Sequence, residues 1–251
     1  MKSLILADIH ANLPALEAVL EQEGSWNELI VLGDLVVAGP YPDEVVSLLA
    51  EEKGILIRGN HDQEALEVDL DAPQPNAHWE WIQWTRRRLS RRNYGFLAGL
   101  PDSCAIERDG TSLRLVHGRF PPEVGRRLWP DSPAAQFETI SALYPETVIL
   151  FGHIHVQFQR VYQDTTFLNP GTVGAPYMGQ SLACYAVLQD GRFDLKATSF
   201  DADRICRAMD ERVQLSDPGF VKGWKDCWRT GQLPPCYFIR DYAPLRQMGC
   251  R

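Results

Sequence analysis

No C-x-x-C pair occurs among the six cysteines of this 251-residue chain (Cys104, Cys184, Cys206, Cys227, Cys236 and Cys250), so neither a zinc ribbon nor a thioredoxin-type redox centre is indicated. Four of the six fall after residue 200; a tail disulfide or metal clip there would be an exception to the reduced state of cytosolic thiols. Long apolar runs are missing too. The first, Leu4 to Ala7, is broken at once by Asp8, too short for a signal-peptide core and far short of a membrane span, which points to a cytoplasmic protein. Positive charge is in deficit: 25 Lys and Arg against 33 Asp and Glu leave a net charge of -8, which repels polyanions and speaks against nucleic acid as a partner. Repeats of solenoid period and low-complexity tracts are also absent. What remains, at 45% hydrophobic and 23% charged residues, is an ordinary globular composition with enough length to bury a sizeable core without staples.

Residues 3 to 60 repeat one theme, an apolar run, a polar loop, an amphipathic helix and another apolar run, which is the signature of parallel βαβ units. Strands are expected at Ser3 to Ala7, Leu29 to Leu32 and Ile55 to Ile57. Asn12-Leu13-Pro14 offers a cap and an early proline to a first helix; Asp43 opens a second, which Gly54 is expected to end. From about residue 103 strands come in closer succession, with hairpin signals at Asp109-Gly110 and Asp190-Gly191. Residues 64 to 100, with Trp79, Trp81, Trp84 and the run Arg86-Arg87-Arg88, read as a small helical insertion. The domain is expected to span residues 1–200, with a helix at 201–213 and an irregular tail to 251 packed on it.

The chemistry lies just past the strands. Five apolar runs are each followed by metal-ligand residues: Asp8-Ile9-His10, Gly33-Asp34, Arg58-Gly59-Asn60-His61-Asp62, His117-Gly118 and Gly152-His153-Ile154-His155. Carboxyl ends of strands in open α/β sheets gather at one edge, so these groups should converge. Imidazoles and carboxylates collected there would be costly to desolvate without partners, and divalent ions suit such a mixed donor set. Seven candidate ligands, Asp8, His10, Asp34, Asn60, His117, His153 and His155, are too many for one tetrahedral ion but suit two ions about 3.5 to 4 Å apart sharing a carboxylate. Asp34, a lone carboxylate after a central strand, is the best bridge.

In that order of blocks the chain resembles the calcineurin-like metallophosphoesterase superfamily, with D-x-H, G-D, G-N-H-D, H and G-H-x-H, over roughly residues 3 to 200. It is similar in particular to small bacterial and archaeal phosphatases and phosphodiesterases through Asp8 to Leu16, Gly39 to Pro42, Leu97 to Pro101 and Asn169 to Gly174. The resemblance implies a four-layer α/β/β/α sandwich of two mixed sheets. It implies that Asp8, His10, Asp34 and His155 hold one divalent ion and Asp34, Asn60, His117 and His153 a second, the choice among manganese, iron, zinc and nickel staying open. It further implies in-line attack of a metal-held hydroxide on phosphorus, with His61 helping the leaving oxygen depart. Ala11, Arg119-Phe120-Pro121 and Ala175-Pro176-Tyr177 depart from the common pattern, which leaves the substrate open.

Other residues carry two readings each. Asn12 could bind a substrate phosphate or cap the first helix; Arg58 could neutralise phosphate or pair with Asp62. The tryptophans suit a buried helix face more readily than a base-stacking platform. The arginine run suits a solvated face paired with acids, and His78 an exposed bystander. The expected function is a dinuclear metal-dependent phosphoesterase acting on a small phosphorylated metabolite, such as a nucleotide or dinucleoside polyphosphate. The rival reading is a non-catalytic metal-binding scaffold on the same fold; homo-oligomerisation stays open.

Overall fold

A computed structural model describes residues 1–122 and 127–232. Two five-stranded mixed sheets form its centre. The first has the order β10 (Arg192–Thr198), β9 (Ala183–Gln189), β1 (Lys2–Leu6), β2 (Glu28–Val31), β3 (Gly54–Leu56); the second has β4 (Ser103–Arg108), β5 (Thr111–Val116), β6 (Val148–Leu150), β8 (Thr165–Asn169), β7 (Phe158–Tyr162). β1, β2 and β3 run parallel, as do β5, β6 and β8, with antiparallel strands outside each trio. Both Asp-Gly hairpins form where expected: Asp109 (φ 50°) with Gly110 (φ 76°), and Asp190 (φ 51°) with Gly191 (φ 73°), take the left-handed pair of a tight turn.

The apolar runs show little alternation because both faces of the central strands are covered. Successive side chains point to opposite faces, so Ile5, Ala7, Ile30 and Leu32 meet Leu113, Leu115, Val148, Leu150 and Leu168 between the sheets. Their neighbours Leu4, Leu6, Leu29 and Val31 turn outward to the helical layer. α1 (Leu13–Glu23) and α2 (Pro42–Glu51) follow the first two strands, and α6 (Ala134–Leu143) covers the second sheet, with Phe137 edge-on to Phe167 at 5.0 Å. Layered helix, sheet, sheet and helix make the four-layer sandwich.

Three details differ from the sequence reading. Gly54 does not end α2, which stops at Glu51; it opens β3, where an added Cβ would lie 2.2 Å from Leu29 O. The segment after β3 is helical from Asn60 onward as α3 (Asn60–Glu67), followed by α4 (Ala77–Arg88) and α5 (Arg91–Gly99). Beyond α7 (Ala202–Arg212) the chain is not irregular: α8 (Pro218–Thr230) has an Asp217 cap, an early proline and Gly231 at φ 70° just past its end. Phe220, Trp224, Cys227 and Trp228 line its buried face. The rest of the tail, with Cys236 and Cys250, lies outside the described residues.

The tryptophans serve packing. Trp81 is completely buried, its ring 5.5 Å from Trp224 and 6.4 Å from Trp228 of α8, and Trp84 donates its indole N–H to Arg212 O. In the basic run Arg86 lies over Tyr94, Arg88 over Trp84 and Arg87 donates to Leu70 O, while Arg92, which follows it, pairs with an acid, Glu51. No helix of the described residues is long and apolar enough to cross a membrane.

One polar knot ties the first helix to its sheet. Glu23, at the end of α1 with its side chain 4% exposed, meets Lys2 of β1 at 2.7 Å, Tyr185 of β9 at 2.7 Å and Lys196 of β10 at 2.9 Å. Burial pushes its carboxyl up, but these hydrogen bonds outweigh burial and hold it at about 2. A depressed carboxyl contributes stability above its ordinary value, lost as pH falls through the folded one. Glu23→Gln should therefore lower the free energy of unfolding by about 2 kcal/mol at neutral pH. Urea titrations across pH should show this deficit closing between pH 4.5 and about 2. A deficit independent of pH would mean that lost packing, not the ionised carboxylate, matters.

Candidate metal centre

The two parallel trios end at a common edge, where their loops interlock. Asp8 N donates to Gly33 O, His10 N to Asp34 O and Gly152 N to His117 O, all at 2.9 to 3.0 Å. The sheets are joined there by His153 N donating to the Asp8 carboxylate at 2.9 Å. Gly59 and Gly152 permit this closeness: a Cβ on Gly59 would lie 2.1 Å from Asp34 Oδ1, and one on Gly152 would lie 2.8 Å from Asp8 Oδ2. Asp8 (φ 53°), His10 (φ 51°), Asp34 (φ 54°), His153 (φ 71°) and His155 (φ 59°) all take the left-handed backbone that non-glycine residues seldom adopt.

Two clusters result. Asp8, His10 and His155 form one, and Asp34, His117 and His153 the other, the ligand atoms of each within 4.8 Å of one another. Asp34 reaches both: its Oδ2 lies 3.2 Å from His117 Nε2 and 3.9 Å from His10 Nε2. His117 Nδ1 bonds Leu32 O at 2.7 Å and His155 Nδ1 bonds Ala175 O at 3.0 Å. With Nδ1–H donated to a carbonyl, each ring turns an Nε2 lone pair inward, the arrangement that orients metal-ligating imidazoles.

The donor set fits divalent cations. His10 Nε2 and His155 Nε2 stand 3.1 Å apart, while Asp8 Oδ1 lies 3.6 Å from His155 Nε2. Lone pairs so close to one another and to buried carboxylates repel unless positive charge lies among them. His117 Nε2 and Asn60 Oδ1 are buried without a hydrogen-bond partner among the described residues, as is His10 Nδ1. Burial pushes the Asp8 carboxyl well up, whereas Asp34 is held well down because His117 and His61 outweigh its burial. Burial would lower His117, but Asp34 and Asp8 raise it to about 9. His10 and His153 are held well down by burial and His155 at about 3, so these imidazoles are neutral and ready to donate a lone pair.

The remaining sequence candidates fall around this core. His61 donates its backbone N–H to Asp34 Oδ1 at 2.9 Å and its ring lies 5.3 Å from that of His10. Burial would lower it, but Asp34 and Glu64 raise it to about 9, Nδ1 bonding Glu64 Oε2 at 2.8 Å. His78 is not an exposed bystander. It is half-buried 5.7 Å from the His61 ring, and burial, then His61, push it down to about 4. Glu64 drew no notice in the sequence, although its i+3 spacing from His61 on a helix is the signal that pairs them. Asn12 is fully buried and its amide is committed at both ends, capping α1 at Ala15 N and donating to Gly174 O. Arg58 pairs with Asp102 through Nε at 3.0 Å and Nη2 at 2.6 Å, not with Asp62. With Arg119, Phe120 and Tyr144 it lines a cavity of about 610 Å³ that opens beside Asn60 and His117.

A calcineurin-like phosphoesterase superfamily domain matches residues 1–190, and the chain belongs to that family. It is 29% identical over 242 residues to an uncharacterised protein of Methanocaldococcus jannaschii, covering 88% of this chain and 96% of the relative. It is 29% identical over 205 residues to the phosphodiesterase YfcE of Escherichia coli K12, covering 76% of this chain and 88% of the relative. A metallophosphoesterase structure from Sphaerobacter thermophilus superposes with a TM-score of 0.77 at 25% identity, covering 92% of this chain and 99% of that one. The protein is thus a metal-dependent phosphoric ester hydrolase by family, with two buried His/Asp clusters as its candidate metal sites.

Asp62 sets the relation between two of the loops. Completely buried, it accepts Leu35 N (2.8 Å) and Val36 N (3.1 Å) through Oδ1 and Gly59 N (2.8 Å) through Oδ2. Asp62→Asn would turn an amide N–H₂ toward at least one of those donors. A charge-assisted hydrogen bond contributes about 1.5 to 3 kcal/mol, so a loss of stability of that order is expected in urea unfolding. An unchanged midpoint would show that the carboxylate does not hold the loops together.

Proposed function

We propose that Asp8, His10, Asp34 and His155 hold one divalent cation and Asp34, Asn60, His117 and His153 a second, and that the centre hydrolyses a phosphoester of a small metabolite. The observation that carries this is the placement of the Asp34 carboxylate, 1% exposed, within reach of imidazole nitrogens from both clusters. Cations bound there would activate water as nucleophile and neutralise the oxygens of the phosphoryl group. The metal identity is left to availability, since imidazole, carboxylate and amide donors suit several first-row ions.

The protein's own residues complete the reaction. His61 is placed beside both carboxylate loops, with its proton-bearing ring steadied by Glu64, and it serves as general acid to the departing oxygen. The cavity beside Asn60 and His117 receives the rest of the substrate: Arg58 and Arg119 suit an anionic group, Phe120 and Tyr144 a flat one. A nucleotide has both, whether it is presented as a monoester or as a diester.

A general acid matters only where the leaving oxygen is basic, and is worth about 10² to 10⁴ in rate there. His61→Asn should slow alkyl or ribosyl esters by about that factor and nitrophenyl esters much less, at unchanged metal content. The ratio between the two substrate classes is the test. Equal losses for both would remove the acid role and leave His61 as a group that stabilises charge or positions substrate.

A further inference from the structure

Beside the two clusters lies a third group of donors, none of which is assigned to the two proposed cations. His61 and Glu64 come from the first turn and a half of α3 and His78 from the start of α4. One ligand atom of each lies within 4.8 Å of those of the other two. Ligand atoms on one zinc stand about 2.0 to 2.2 Å from it, so neighbours are up to about 4 Å apart and small rotations would bring all three onto an ion. Two imidazoles and a carboxylate are a zinc-type set that leaves a fourth position for water. His78 makes no hydrogen bond among the described residues, only ring contacts with His61 at 5.7 Å and Trp79 at 6.1 Å. Its presence against His61 is therefore not explained by packing of a satisfied polar group. The side chains of His61 and Glu64 are 13% and 28% exposed, so an ion could enter from solvent.

We propose that His61, Glu64 and His78 form a third, weaker cation site, selective for zinc-like ions, whose occupancy withdraws the His61 ring from the leaving group and inhibits the enzyme. The inhibitory part rests on the role of His61 given above; the site itself does not. Weaker binding follows from the hydrogen bond between His61 and Glu64, which the ion must displace, and from repulsion by the cation that the neutral His10 would hold, its ring being 5.3 Å from that of His61.

Zinc binding to the full-length protein tests this, by equilibrium dialysis against buffered zinc with elemental analysis and by hydrolysis of an alkyl phosphoester at the same zinc levels. The unaltered protein should hold two zinc ions per chain at low free zinc and three at high, losing about 10²-fold in rate as the third binds. His78→Ala should stop at two, with the same basal rate and little inhibition; Glu64→Gln should also stop at two, which guards against a fold defect peculiar to His78→Ala. Two ions at every zinc level in the unaltered protein, or three in His78→Ala, would overturn the site. A third ion that binds and leaves the rate unchanged would overturn the inhibitory link. Because the ion count is read without turnover, an inactive preparation would count against the hydrolytic reading and not against the site.

Discussion

Two carboxylates buried at the seam between the sheets govern this structure. Asp8 and Asp34 are 0% and 1% exposed, with imidazoles from three other loops turned toward them. A buried ionised carboxylate is tolerable only with hydrogen bonds and opposite charge around it. Here backbone donors meet part of the demand, His153 N on Asp8 and His61 N on Asp34. The rest calls for cations. The rise of His117 and His61 to about 9 is the same demand expressed through protons.

The frame around them is stiff, and local backbone energy is spent on it. Left-handed, non-glycine positions cost roughly 1 to 3 kcal/mol each and persist only where the surroundings over-determine them. Five of the candidate ligands are among them, and Val37 (φ 66°) and Ala38 (φ 61°) follow Asp34 in the same conformation. What over-determines them is visible. Asp62 grips the Asp34 and Gly59 turns, Thr172 Oγ1 donates to Asp8 O at 2.8 Å, and Asn169 Nδ2 donates to Gly152 O at 2.8 Å. The Asn-Pro-Gly-Thr segment that begins with the last residue of β8 thus acts as scaffolding for both H-x-H and D-x-H loops.

Much of this was legible in the sequence because the site is written at strand ends, where a short apolar run followed by Asp or His is hard to mistake. The seven proposed ligands were readable for that reason, as were both hairpins. What escaped was information carried between elements. Asp102, the partner of Arg58, is 44 residues away in sequence, so the nearer Asp62 seemed the natural choice. His78 lacked any local signal, since only the packing of α3 against α4 brings it to His61. The helix at 218–230 was missed for a different reason: its cap, proline, apolar spacing and closing glycine were all present, but scattered aromatics and the following Pro-Pro suggested an irregular segment.

In the proposed centre one carboxylate, Asp34, links two cations. Electron paramagnetic resonance of the protein loaded with two equivalents of manganese(II) tests it most directly, because ions sharing a bridging ligand couple magnetically and ions in separate sites do not. A coupled dinuclear spectrum that Asp34→Ala abolishes is expected. The signal of two independent manganese ions in the unaltered protein, at full occupancy, would contradict it.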